Sequence, residues 1–186
     1  MSKIGFTLWF TGLPCSGKTT ISDAIGKKLK DAGLKVERLD GDIVRKSLSR
    51  DLGFSKEDRD KNIERVTFVS KLLTRNGVIT IVSFVSPYRQ KRDEARQEIG
   101  DFIEIYLRCP VGICESRDLK GMYKKATLGE IKDFTGISDP YEEPLNPELT
   151  LNTDEESVSE CVKRILKYLY ENSYLKIEKV KQELSL

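Results

Sequence analysis

Short apolar runs alternate along this chain with longer stretches in which apolar residues recur every three or four positions. That alternation predicts strand–helix–strand units, and so a parallel sheet covered by helices. Thr7-Leu8-Trp9-Phe10 reads as the first strand. Ile21, Ala24, Ile25, Leu29 and Ala32 follow at helical spacing, and Gly33 ends that helix. Residues 36–39 form a second strand running into Asp40-Gly41-Asp42. Ser55-Lys56-Glu57-Asp58 has the form of a capping box; it opens a long helix through Ile63, Val66, Val69 and Leu73, closed by Asn76-Gly77. Residues 78–84 are almost all β-branched, which marks a central strand covered on both faces. A charged helix over 88–99, a strand over 102–107 and a last strand Leu149–Asn152 complete the sheet. Thr153 and Glu156 are placed to cap a final helix with the stripe Val158, Cys161, Val162, Ile165 and Leu169. The charged tail 174–186 is expected to be helical.

From 119 to 147 the periodicity fails, and Gly, Pro, Lys and aromatic residues mix. An irregular stretch of that length inside a compact domain is usually functional, so a mobile segment with short helices is expected there. The 186 residues suit one domain, 1–186, with a lid at about 117–147 and a C-terminal helix and tail over 154–186.

Composition narrows the partners. Charged residues are 33% and hydrophobic residues 38%, as in an ordinary soluble domain. Lys+Arg 32 against Asp+Glu 30 leaves only +2, which argues against nucleic acid as a partner while permitting a local basic cluster for a small anion. No apolar run nears the roughly 20 residues that cross a bilayer, and the opening residues lack a secretion signal, so no membrane and a cytoplasmic location are expected. Cys15, Cys109, Cys114 and Cys161 form no C-x-x-C pair and read as reduced, mostly buried thiols. The chain has no histidine, which excludes a Ser-His-Asp hydrolase, a His-ligated zinc site and a phosphohistidine carrier.

Gly12-Leu13-Pro14-Cys15-Ser16-Gly17-Lys18-Thr19 satisfies G-x-x-x-x-G-K-[ST] between a strand and a helix. Its glycines let backbone N–H groups turn inward around phosphate oxygens, and the helix start adds favourable partial charge. Lys18 is expected on the β- and γ-phosphates of ATP and Thr19 on Mg²⁺; Gly12, Cys15, Ser16, Gly17 and Thr20 complete the nucleotide contacts. The fold class is therefore α/β: a three-layer P-loop NTPase fold with a central parallel sheet flanked by helices and a mobile lid. No N-K-x-D motif points to a GTPase, and the strand over 78–84 carries no acid of the usual second nucleotide motif. Asp40-Gly41-Asp42, at the carboxyl edge of the sheet, is the best substitute. Asp40 is assigned near the metal and Asp42 as base or orienter of an acceptor hydroxyl; a plain Asx-Gly turn is the bland alternative.

Several further motifs then follow in order: Asp40-Gly41-Asp42-Ile43-Val44-Arg45, Leu52-Gly53-Phe54-Ser55, Arg59-Asp60-Lys61-Asn62, Ser86-Pro87-Tyr88-Arg89, Arg117-Asp118-Leu119-Lys120-Gly121-Met122-Tyr123-Lys124-Lys125-Ala126, and Phe134-Thr135-Gly136-Ile137-Ser138-Asp139-Pro140-Tyr141. This series resembles the adenylylsulfate kinase family over nearly the whole chain. The resemblance implies an ATP-dependent phosphotransferase with an alcohol acceptor. Such an enzyme would make 3′-phosphoadenylyl sulfate (PAPS) and ADP from ATP and adenylyl sulfate (APS) in sulfate assimilation. It further implies that Asp42 and Arg45 touch APS, and that Phe54 lies against its adenine with Arg59 and Asn62 on its polar groups. By the same resemblance Val85 and Ser86 line the pocket, and Lys124, Gly136 and Ile137 close over it, while Arg117 belongs to the ATP side. Ser86 matches a serine labelled a phosphoserine intermediate, although in-line transfer needs positioning and charge neutralisation rather than a covalent carrier. Arginine forks suit the oxyanions of both nucleotides, and Arg45, Arg59, Arg65, Arg89 and Arg92 fall after strand ends or on adjoining helices. Where the family usually reads Asp-Gly-Asp-Asn, this chain has Ile43 and lacks that amide donor. A homodimer and a functional association with ATP sulfurylase are the remaining partner expectations. Two other readings stay open at this point: another P-loop kinase of gluconate, shikimate or nucleotide type, and a non-enzymatic ATP-binding partner of ATP sulfurylase.

Overall fold

The computed structural model describes residues 5–175. Five parallel strands, β1 (Thr7–Thr11), β2 (Val36–Asp40), β3 (Ile79–Ser83), β4 (Phe102–Arg108) and β5 (Leu149–Asn152), lie in the order β2-β3-β1-β4-β5. Among the described residues seven helices accompany them: α1 (Lys18–Asp31), α2 (Gly41–Lys46), α3 (Lys56–Arg75), α4 (Arg89–Ile99), α5 (Val111–Ser116), α6 (Met122–Thr127) and α7 (Val158–Glu171).

Successive residues of β1 leave the sheet on opposite faces, and both faces are covered. Leu8 and Phe10 join Ile21, Ile25, Ile81, Ile105 and Ile165 in a core under α1 and α7. Trp9 joins Val66, Val82, Ala95 and Phe102 under α3 and α4. Three layers result, and every residue of β1 and β3 is buried. The central strand is β1, with β3 one place nearer the edge. Both runs are uniformly buried and mostly apolar, so hydropathy alone cannot rank them.

Local capping differs from the sequence expectation at α7 and, in part, at α3. The box at α7 is Ser157 with Glu160, not Thr153 with Glu156. Thr153 is used otherwise: its hydroxyl donates to the Ser16 carbonyl at 2.9 Å, tying the turn after β5 to the glycine loop. Glu156 instead accepts from the Asn152 N–H and Arg164. Ser55 does cap α3, accepting from the Asp58 N–H, while the Asp58 carboxylate turns to the Gly53 N–H at 2.9 Å. The short helices α2 and α5 have too few turns to leave a periodic signal.

In the irregular segment, α6 packs through Tyr123 against Phe134, ring centroids 4.9 Å apart. Its return leg is tied down. Tyr88 Oη donates to Asp139 at 3.0 Å, the Glu142 N–H to the Pro87 carbonyl at 2.9 Å, and Arg92 Nη2 to the Glu142 carbonyl at 2.6 Å. Tyr174 sets its ring edge-on to Phe6 and Leu175 is buried. The rest of the tail, 176–186, lies outside the described residues.

Candidate active site

The carboxyl ends of the strands bring the chemistry together. Register pairs Phe10 and Asp40 with Ser83, so the glycine loop after β1, the acids after β2 and the loop after β3 open onto one cleft of about 480 Å³. Its walls include Lys18, Thr19, Asp40, Asp42, Arg45, Phe54, Arg59, Asn62, Val85, Ser86 and Arg117. Cys15 lines it as well.

The glycine loop is built for an anion. Gly12 has φ 149° and a Cβ there would stand 2.6 Å from the Leu107 carbonyl oxygen, so the position accepts no side chain. Gly17 caps α1 at φ 93° without any side-chain hydrogen bond, and no acid lies in the first turn. By contrast α3 and α7 are capped by serines and carry acids in their first turns. The opening amides of α1 thus have no competing internal anion, and phosphate is their natural partner. Lys18 is folded back onto the loop, donating to the Gly12 and Leu13 carbonyls at 3.0 and 2.7 Å. Burial pulls its pKa down to about 8, an ammonium held out of water before any phosphate arrives.

Thr19 Oγ1 donates to Asp40 Oδ2 at 3.1 Å. Asp40 Oδ1 accepts the Asp42 N–H at 3.0 Å, so Asp40 also caps α2. The Asx turn and the functional acid are therefore the same residue. A threonine hydroxyl that gives its proton to a carboxylate keeps its lone pairs for a hard cation, a donor set that fits Mg²⁺. Among the described residues no group of three or more His, Cys, Asp or Glu could hold a metal by itself. The ion would have to share its shell with nucleotide phosphates, as magnesium characteristically does.

Across the cleft Phe54 is 60% exposed, with the Arg45 guanidinium 4.2 Å and that of Arg59 5.9 Å from its ring centre. Arg45 donates to the Gly53 carbonyl at 2.7 Å. Arg59 reaches Thr135 Oγ1 at 2.8 Å and the Asp133 carbonyl, linking α3 to the irregular segment. Burial, and then the facing Arg59, lower the Arg45 pKa, with Asp58 only partly offsetting them. Asn62 is only 3% exposed, yet its Oδ1 has no hydrogen-bond partner. Asp42 is open to solvent and meets Lys120 at 3.2 Å.

Ser86 sits at φ 39°, uncommon for a residue with a Cβ. Its hydroxyl accepts from Trp9 Nε1 and donates to Thr11 Oγ1, each at 3.1 Å, and its carbonyl takes Arg92 Nη1 at 2.6 Å. These contacts fix the strained turn.

Three arginines weighed as anion ligands are engaged elsewhere. Arg65 forks onto Asp51, Arg92 is buried on Glu104, and Arg89 donates to the Glu143 carbonyl. Arg117 donates to the Thr153 carbonyl at 2.7 Å while lining the cleft. Gly136 and Ile137 border a neighbouring cavity of about 860 Å³, where Gly136 packs against Leu13 of the glycine loop. Lys124 lines neither cavity. Ile43 is 63% exposed and stands outside the cleft lining. Ser83, Asp118, Lys120 and Phe134 also line the cleft, beyond the residues to which the sequence points. Three of them lie within quoted motifs, whereas Ser83 is a small polar residue hidden in an apolar run. All four cysteines are free, Cys15 half-buried and the others buried. No helix among the described residues is long and apolar enough to cross a membrane.

Residues 4–152 match the family described as Adenylylsulphate kinase. An adenylyl-sulfate kinase of Halothermothrix orenii is 56% identical over 93% of this chain and 94% of its own length. One from Picosynechococcus sp. is 58% identical over 94% of this chain and 99% of its own. Among solved structures, the Mycobacterium tuberculosis APS kinase CysC in complex with AMPPNP and APS superposes with a TM-score of 0.85. Its identity is 40%, over 89% of this chain and 97% of that one.

Proposed function

This chain belongs to the adenylylsulphate kinase family, and on that premise we infer that it transfers the γ-phosphate of ATP to the 3′-hydroxyl of adenylyl sulfate. The products are ADP and 3′-phosphoadenylyl sulfate. One observation carries the reading: a single cleft is lined both by Pro14, Cys15, Lys18 and Thr19 of the glycine loop and by Asp42, Arg45, Phe54, Arg59 and Asn62.

The glycine-loop amides and Lys18 bind the triphosphate, and Lys18 exchanges two loop carbonyls for phosphate oxygens. Gly12, Cys15, Ser16, Gly17, Thr20 and Arg117 complete the donor site. Thr19 and Asp40 would hold Mg²⁺, which when bound neutralises charge on the β- and γ-phosphates. On the acceptor wall Phe54 takes the adenine against its ring, and Arg45, Arg59 and Asn62 satisfy the polar groups of APS. Asp42 aligns the 3′-hydroxyl and accepts its proton as the new P–O bond forms and the bond to ADP breaks. For that Lys120 must release Asp42. Ser86 and Val85 shape the floor; with its one hydroxyl proton given to Thr11 and a lone pair taken by Trp9, Ser86 has a positioning part. Closure of the segment bearing Lys124, Gly136 and Ile137 excludes water, which would otherwise accept the phosphate. We assign the working protein to the cytoplasm, as a homodimer associated functionally with ATP sulfurylase.

A coupled ADP-release assay across acceptors tests the reading. Adenylyl sulfate should stimulate ADP formation, and gluconate, shikimate and nucleoside monophosphates should not. Tight ATP binding with no acceptor-dependent turnover would instead make the chain a non-enzymatic nucleotide sensor.

A further inference from the structure

β3 carries no acid where P-loop proteins usually place one beside the metal; its last residue is Ser83. Ser83 is 5% exposed, and its Oγ is buried without a hydrogen-bond partner. A buried hydroxyl left unsatisfied costs about 1–3 kcal/mol, so its persistence calls for a ligand. Thr80 and Ser49 also bury unpartnered hydroxyls, but neither lines the cleft, whereas Ser83 does.

Position says which ligand. Ser83 and Asp40 are Cα partners in the parallel pair β3–β2, so their side chains leave the sheet on the same face. That face is the one under α1: two residues back, Ile81 and its partner Arg38 both pack around Gly26 of α1. The start of the same helix supplies Thr19, already bonded to Asp40. The unpartnered oxygen therefore lies on the face that carries the Thr19–Asp40 pair, in the cleft that all three residues line. Magnesium keeps several waters when it binds with nucleotide phosphates, and protein groups that hydrogen-bond those waters tune how tightly the ion is held.

We propose that Ser83 is a positioning residue of the donor site, its hydroxyl hydrogen-bonding a water of the nucleotide-bound Mg²⁺ where a carboxylate would otherwise stand. It acts through that water, not on the phosphate, and so governs how tightly the metal is held. The proposal rests on the ATP reading above, but not on the identity of the acceptor.

The test is ADP binding by calorimetry across a magnesium titration, with wild type, Ser83→Ala and Ser83→Cys. Losing an outer-shell partner costs metal affinity about tenfold or more, so the half-saturating Mg²⁺ concentration should rise by about that factor in both variants. ADP affinity in EDTA should not change. The ligand-free variants should melt no lower than wild type, since nothing in the fold loses a partner. An unchanged magnesium requirement would overturn the proposal, as would an equal loss with and without the metal, or a lower ligand-free melting temperature. Wild type failing to bind ADP under any condition would break the ATP reading itself.

Discussion

The two walls of the cleft are built on different principles. The donor wall is made of sheet ends and the first turn of α1. Its lysine is buried on backbone carbonyls, its threonine is bonded to an aspartate, and its glycines hold backbone conformations that side chains disfavour. The acceptor wall is made of the short helix α2, a loop aromatic, the start of α3 and contacts from the irregular segment. Phe54 and Asp42 stand open to solvent, and Asp42 is held by an exposed lysine from across the cleft. The first wall is internally bonded, with the buried Lys18 left to turn from loop carbonyls to phosphate; the second leaves Phe54 and Asp42 open. A phosphate-binding loop serves many reactions and can be rigid, whereas the surface that selects the acceptor must open to admit it and close to keep water out.

If that division is right, the largest loss should come from the donor wall. Lys18→Ala removes the one side-chain charge buried against the phosphates and should lower kcat by about 10²–10³-fold, as does removal of a preorganised oxyanion donor. Steady-state kinetics at saturating ATP would show it, and normal turnover would remove Lys18 from the mechanism. Asp42→Asn comes next, at about 10²-fold in kcat with the KM for adenylyl sulfate little changed, because the amide keeps the shape but cannot take the proton. A change confined to KM would make Asp42 a binding residue only.

The same division explains what could be read from the sequence. The donor wall is local: eight consecutive residues after an apolar run specify loop, helix start and lysine, and Asp40 follows directly after the next strand. The acceptor wall draws Arg45, Phe54 and Asn62 from separate segments, and no spacing rule joins them; only the resemblance to a family did. The structure shows why local signals failed elsewhere. Thr153 looked like a helix cap because hydroxyl-to-acid spacing recurs at Ser157, four residues on; the true assignment depends on Ser16, far away in sequence. Arg92 looked like an anion ligand, but its charge is spent on Glu104 of β4, a partner visible only once α4 lies on the sheet.

Phe54→Ala sharpens the comparison from the acceptor side. Stacking of a base on an aromatic ring is worth about 1–3 kcal/mol by alanine substitution. The variant should therefore raise the KM for adenylyl sulfate by roughly 30-fold while leaving ADP affinity intact. Calorimetry with each nucleotide separately would decide it. Equal weakening of both would mean the two walls are not independent.

The smallest effect is a pH dependence confined to the donor wall. Lys18 has its pKa lowered to about 8 in the ligand-free fold, below the 10.5 of an ordinary lysine. Between those values the unfolded chain binds the proton more readily than the fold does. The cost of the buried ammonium is thus fully present below pH 8 and fades as pH rises towards 10.5. From this group alone, ligand-free stability should rise over that interval. Nucleotide binding should move the other way, since phosphates favour the charged form: above pH 8 the fold must take up a proton to bind. ADP affinity should fall by about tenfold between pH 7 and pH 9, with proton uptake visible as a buffer-dependent binding enthalpy. Lys18→Met should abolish both trends at once, a coupling that a titrating group on the acceptor wall could not produce.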